Sequence, residues 1–177
     1  PLQAQTPPSL WGLSPGGGDG LGTLFSINTG STAISAQYNF QGYPGNAPQF
    51  VKLYQASNGK LYGTTRLGGT NNLGTLFEYN PATNSYSVLV DFDGTAKGSD
   101  PQSSVIQASN GKLYGMTRLG GLNNLGVIFE YDLSTSTYTK KYDMIAANGQ
   151  FPQGSLIEAT NGRLYGVNRF GGVTGAG

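Results

Sequence analysis

Apolar and small residues alternate with polar ones in short runs along the chain, and each run stops at glycine, asparagine or proline. A two-residue period is the mark of a β-strand whose two faces meet different surroundings. In Lys60–Thr65, Leu61, Gly63 and Thr65 fall on one face and Tyr62 and Thr64 on the other. Four strands are predicted within one stretch: Phe50–Ala56, Lys60–Thr65, Thr75–Asn80 and Ser85–Phe92. Asn58–Gly59 reads as a two-residue hairpin turn, because both residue types tolerate positive φ. Gly68–Gly69 with Asn71–Asn72 forms a longer turn, and Pro81–Asn84 closes the last connection. No segment carries a 3.6-residue period, so the expected class is all-β.

The pattern is written more than once. "SNGKLYGTTRLGGTNNLGTLFEYN" begins at Ser57, returns from Ser109 as "SNGKLYGMTRLGGLNNLGVIFEYD", and starts again at Thr160 as "TNGRLYGVNRFGG". Asn58, Asn110 and Asn161 lie 52 and 51 residues apart, and Phe25, Phe77 and Phe129 are each 52 apart. Four antiparallel strands at this period predict a β-propeller-like array of four-stranded blades, since the rungs of a β-solenoid are shorter. The chain is expected to divide into a disordered or signal-peptide-proximal segment (1–9), a partial blade with strands two to four (10–48), blades at 49–100 and 101–152, and a partial blade with strands one and two (153–177). Strands left open in this way predict a larger propeller, completed by further repeats after Gly177 or by self-association through the open blades.

Recurrence assigns many residues to the scaffold. Asn58–Gly59, Asn110–Gly111 and Asn161–Gly162 make turns, and Gly68–Gly69 and Gly120–Gly121 make the second-to-third-strand loops. Tyr62, Tyr114 and Tyr165 are expected to pack blade on blade, with Leu61, Leu113 and Leu164 buried on the other face. Arg66, Arg118 and Arg169 end the second strand, while Glu78 and Glu130 sit on the third. Their joint recurrence predicts an Arg–Glu contact stapling those strands together.

Composition narrows the chemistry. Of 177 residues 29 are glycine, and charged residues reach only 11 %, against an ordinary share of about 25 %. Eleven Tyr and eight Phe supply enough aromatic area for a folded core. The net charge is +1, and Lys and Arg stand singly apart from Lys140–Lys141. That leaves no basic stripe for nucleic acid. No apolar run approaches the ~18 residues of a membrane span. Cysteine and histidine are both absent, which excludes thiolate and imidazole metal sites and any histidine base. No cofactor is expected. "PLQAQTPP" at the start reads as the small-residue end of a signal peptide, which predicts an extracellular or bacterial cell-surface protein.

Three apparent motifs dissolve on inspection. Gly12–Gly16 fits G-x-S-x-G, but the nucleophile elbow needs a strand–turn–helix setting and a histidine. Ser57–Lys60 and Ser109–Lys112 fit S-x-x-K, a motif that works on a helix, whereas Asn-Gly makes this segment a hairpin. Asp91–Gly94 opens like a calcium loop without the later bidentate Glu, so no metal site is expected. Function should therefore sit where the copies disagree. Those places are the inter-blade loops Asn39–Gln49, Asp91–Gln102 and Asp143–Gly154, with Tyr43, Asn46, Asp93, Lys97, Asp100, Asn148 and Gln150 as candidate binding residues.

The Gly-Gly pair followed by an apolar third strand resembles the kelch pattern. The unit "SNGKLYGTTRLGGTNNLGTLFEYN" with "VLVDFDGT" after it more closely resembles the bacterial GloVer tandem repeat family, from Leu10 onward. The resemblance implies an exported, often surface-attached protein with no established catalytic activity. The expected function is accordingly a non-catalytic interaction, adhesion or assembly module that meets a protein or glycan at a cell surface. The competing expectation is a polysaccharide-active enzyme, a glycosidase or lyase, drawing on acids such as Asp93 and Asp100. It would need two non-recurring carboxylates about 5–9.5 Å apart.

Overall fold

The computed structural model describes residues 9–172 and residue 175. Its first sheet joins β1 (Ser9–Ser14), β2 (Thr23–Asn28) and β3 (Ser35–Asn39) in sequence order. A second joins β4 (Tyr54–Gln55), β5 (Leu61–Thr65), β6 (Thr75–Asn80) and β7 (Ser85–Asp91). A third joins β8 (Ile106–Gln107), β9 (Leu113–Thr117), β10 (Val127–Asp132) and β11 (Thr137–Asp143). Beyond these, β12 (Gln150–Pro152) pairs with β15 (Asn168–Phe170), and β13 (Ile157–Glu158) pairs with β14 (Leu164–Tyr165). Every pairing is antiparallel. The two central repeats are thus four-stranded antiparallel blades. The expected segment 1–9 lies outside the described residues except for Ser9, which opens β1.

Two local expectations are corrected. The hairpin at Asn58–Gly59 has three loop residues rather than two: the Gly59 N–H donates to the Ala56 carbonyl, and the Ala56 N–H donates to the Lys60 carbonyl. Only Gly59 has positive φ, at 79°, which is a type I turn followed by a left-handed glycine. Asn58 contributes through its side chain, whose Oδ1 accepts the Lys60 N–H at 3.1 Å. The first strands are also shorter than expected. Phe50–Ala56 contracts to Tyr54–Gln55, because Phe50 turns away at φ 61° and the Lys52 N–H is spent on Ser104 Oγ of the next blade at 2.6 Å. In the last repeat the second strand splits, and Asn168–Phe170 turns aside to pair with Gln150–Pro152, inside an expected loop.

Three apolar clusters lie between successive blades. Leu61 packs with Leu24, Phe40, Phe77 and Tyr79. Tyr62 on the opposite face meets Leu113, Phe129 and Tyr131 of the third blade, and Tyr114 and Met116 meet Leu156 and Leu164. Strand alternation therefore sends one face to each neighbour. Burying a leucine of this kind stabilises by about 1.5–3 kcal/mol. Leu61 and Leu113 are buried as expected, whereas Leu164 is half-buried and Tyr165 is 47 % exposed. Tyr165 corrects the packing expectation, because its position corresponds to the face turned away from the preceding blade.

Each blade has a register shift at Phe25, Phe77 or Phe129. The Phe77 ring lies against Gly63, where a Cβ would come within 2.6 Å of it. Gly63 is the seat of that ring. Tyr86 then stacks on Phe77 at 5.1 Å and on Tyr38 of the first blade at 4.1 Å, and such aromatic pairs contribute about 0.5–1.5 kcal/mol each beyond area burial.

Candidate functional site

Antiparallel blades have two ends, one carrying the first-to-second-strand hairpins and the other carrying the loops between blades. At the hairpin end, Lys60 Nζ lies 2.7 Å from Glu78 Oε1, and Tyr62 donates its hydroxyl to Glu78 Oε2 at 2.8 Å. Asn58 Nδ2 donates to the Tyr62 hydroxyl at 2.9 Å. The third blade repeats this with Lys112–Glu130 at 2.8 Å, Tyr114–Glu130 at 2.7 Å and Asn110–Tyr114 at 2.9 Å. The expected Arg–Glu staple is overturned. Register is the reason: Glu78 lies opposite Tyr62, while Arg66 follows Thr65, which pairs with Thr75 at the far end of the strand.

These carboxylates are committed to the scaffold. The Lys112 ammonium, with the Tyr114 hydroxyl and Lys141, holds the Glu130 carboxyl below its ordinary pKa, against the opposing effect of burial. Burial, more than its hydrogen bond to Glu130, raises the Tyr114 phenol. Hydrogen bonds from Ser134 hold Asp132 down at about 2. An open groove of about 390 Å³ lies here between the second and third blades, lined by Ser57, Asn58, Gln107, Asn110, Lys112 and Asp132. A second, of about 270 Å³, includes Ser109, Tyr114 and Glu158.

The loop end is built differently. Ala47, Asp100 and Phe151 occupy equivalent places, each with left-handed φ (51°, 51° and 55°) and each followed by proline. The Ala47 N–H donates to the Leu21 carbonyl, and its own carbonyl accepts the Arg66 N–H of the next blade. Asp100 does the same between Leu73 and Arg118, and the Phe151 N–H donates to the Leu125 carbonyl. The backbone is tied down in the same way each time, while the side chain is Ala, Asp or Phe. Here the repeat holds its geometry and varies its chemistry.

Asp100 gathers the neighbouring groups. Its Oδ1 accepts Arg66 Nε at 2.9 Å and its Oδ2 accepts Arg118 Nη1 at 2.8 Å. Gln102 Nε2 donates to both oxygens at 3.1 Å. Arg66 Nη1 donates to Gln49 Oε1 at 3.3 Å, and Gln153 Nε2 donates to Gln102 Oε1 at 3.2 Å. The Arg118 guanidinium stands 5.7 Å over the Phe151 ring, and Arg169 stands 5.0 Å over Phe170. Arg118 Nε is shielded and has no hydrogen-bond acceptor among the described residues.

The other candidate residues share this end of the blades but not this cluster. Tyr43 is exposed, and Asn46 is bridged through its backbone to Leu67. Asp93 Oδ1 accepts the Lys97 N–H at 2.7 Å, and the Lys97 carbonyl accepts the Tyr138 hydroxyl at 2.6 Å. Asn148 Nδ2 donates to the Tyr142 hydroxyl at 2.9 Å, and Gln150 pairs with Phe170 in the β12–β15 ladder. Asp91 accepts from Thr70, and Asp143 accepts from Leu122 and Lys140. Among the described residues no group of three His, Cys, Asp or Glu side chains could hold a metal ion.

Sequence reasoning missed Gln49, Gln102, Gln153 and Phe50. Two signals were available. Pro-Gln recurs at 48–49, 101–102 and 152–153, and the second repeat has eleven residues from Pro48 to Asn58 where the third has ten from Pro101 to Asn110. Alignment of the two copies from their Asn-Gly turns and their prolines leaves Phe50 as the extra residue.

The blade array superimposes on part of TolB from Acinetobacter baumannii with a TM-score of 0.54 at 15 % identity, covering 84 % of this chain and 32 % of TolB. A protein of unknown function from Dyadobacter fermentans gives a TM-score of 0.52 at 12 % identity, with 86 % and 51 % covered. A puromycin-hydrolysing peptidase of Mycobacterium tuberculosis gives 0.47 at 14 % identity, with 88 % and 23 % covered. The chain therefore spans about half or less of each of these structures, and the likeness to the first two concerns the β-propeller fold alone. No curated protein matches in sequence. Blade architecture and repeated unit agree with the match of residues 5–177 to the Gloeobacter/Verrucomicrobia repeat, and the chain belongs to that family.

Proposed function

We propose that this chain is a non-catalytic binding module that presents its loop end to a protein or glycan at a cell surface. One observation carries the reading: Ala47, Asp100 and Phe151 share a backbone geometry and differ in side chain, beside arginines that recur. A scaffold that repeats its frame and varies one side chain within it is suited to recognition. The recurring Glu78 and Glu130 carboxylates support the same reading, since each is engaged by a lysine and a tyrosine. The test is a glycan array together with a pull-down from cell-surface extracts, using the full chain. Selective retention of a glycan or a surface protein, reduced by Asp100→Ala, is the expected result. Blank results in both assays, or cleavage of a polysaccharide by the purified protein, would overturn the proposal.

A further inference from the structure

Phe50 is an anomaly. It is the extra residue of the second repeat, it is 75 % exposed, and its φ is 61°. A bulky side chain at positive φ is strained. Exposure of its ring also gains nothing from burial. This strained, exposed aromatic residue contributes no burial to the fold, and it directly follows Gln49, whose amide oxygen accepts from Arg66.

The surroundings are cationic and planar. Arg66 and Arg118 stand at this end of adjoining blades, and Asp100 is the carboxylate that they share. Each guanidinium has five N–H donors. Arg66 spends Nε on Asp100 and Nη1 on Gln49, while Arg118 spends Nη1 on Asp100. Donors remain on both. Arginine forks match carboxylates in a bidentate way, and the half-buried Gln49 amide lies against the Arg66 guanidinium. The exposed Phe50 ring, one residue along the chain from the Gln49 that Arg66 binds, suits the C–H face of a sugar ring, as an amphipathic contact of the kind aromatic side chains make.

We propose that this edge binds a carbohydrate chain that carries carboxylates, a uronate-type polysaccharide. Phe50 supports one sugar ring, and Arg66 and Arg118 take the carboxylates. The proposal rests on the reading of the chain as a binding module and names its ligand class.

The experiment measures affinity of the full chain for oligogalacturonate, for a neutral oligogalactose and for polyglutamate, by titration calorimetry at low and moderate salt. Phe50→Gly and Arg66→Gln are the variants. Glycine is at ease at positive φ, so Phe50→Gly should raise the thermal midpoint while weakening oligogalacturonate binding at least about tenfold, a loss of ~1.4 kcal/mol. Arg66→Gln should weaken it similarly and reduce its salt dependence. Equal binding of polyglutamate and oligogalacturonate would overturn the sugar contact. Neutral oligosaccharide bound with unchanged affinity by Arg66→Gln would overturn acid recognition and leave the binding-module reading intact. Unchanged affinity in a folded Phe50→Gly protein would remove the ring's role. If these probes fail while a surface protein is captured, this inference falls alone; if nothing is bound at all, both fall.

Discussion

Leu113→Ala tests whether the cores truly lie between blades. Leu113 is fully buried among Tyr62, Val105, Phe129 and Tyr131, which come from two adjoining sheets. Truncation removes three carbons, a transfer loss of about 2.4 kcal/mol at ~0.8 kcal/mol per methylene-sized group. The cavity adds to this, because two hydrogen-bonded sheets cannot close over it without breaking ladder bonds. Leucine-to-alanine changes at such sites cost about 3–5 kcal/mol in total. For a chain of this size that lowers the thermal midpoint by about 2–4 °C per kcal/mol. Leu61→Ala should match it, since Leu61 is only 2 % exposed. Half-buried Leu164 should lose about 1 kcal/mol, because fewer of its contacts exist to be lost. The assay is urea unfolding followed by far-UV circular dichroism and by the fluorescence of Trp11, whose ring lies 5.7 Å from Tyr79 beside the Leu61 cluster. Equal, small losses at all three positions, or a loss at Leu164 as large as at Leu113, would refute the packing argument.

Other substitutions test the turns and the charges. Gly59→Ala should cost about 1 kcal/mol, the left-handed penalty alone, since a Cβ there meets nothing within 4 Å. Gly68→Ala, at φ 88° with its Cβ driven 2.4 Å from the Gly42 carbonyl oxygen, should lose clearly more in the same urea assay; equal losses would show that the inter-blade loop yields easily. Glu130 has its carboxyl pKa lowered chiefly by Lys112, and Asp143, despite its burial, by Lys140 and the Leu122 N–H. Depressed folded-state values contribute stability above the unfolded carboxylate range of about 4, and that stability is lost as pH falls through the folded values. Thermal midpoints should therefore be level from neutral pH to about 5 and fall below ~4, and Glu130→Gln should flatten that acid limb. A limb that keeps its full steepness in the variant would show that Glu130 carries none of it.

Which parts of this were readable beforehand follows from the physics of each signal. Strand alternation between Leu61 and Thr65 and the 52-residue return of the Phe77 position were visible, because both are periodic and need no partner to be seen. The Arg–Glu staple was misread because recurrence says that two residues persist, not that they meet. Only register settles that, and register sets Glu78 opposite Tyr62. The hairpin at Asn58 was misread by one residue because Asn-Gly serves a type I turn with a following left-handed glycine as well as a two-residue turn. Among the candidate binding residues, Asp100 was found because its copies are Ala47 and Phe151. Gln49 and Gln102 escape a search for differences for the opposite reason: they recur, and recurrence reads as scaffold. Phe50 was legible only as a difference in spacing.

The backbone relay at Ala47, Asp100 and Phe151 also governs how the molecule comes apart. Each such residue gives its N–H to its own blade, and at Ala47 and Asp100 the carbonyl binds the next. Together with the apolar clusters shared by adjoining sheets, this makes each blade's stability depend on its immediate neighbours, the nearest-neighbour situation of a one-dimensional cooperative chain. A defect placed in one blade is then felt one blade away and fades beyond it. Melting is then expected to proceed inward from a face that has lost its neighbour, as a zipper opens.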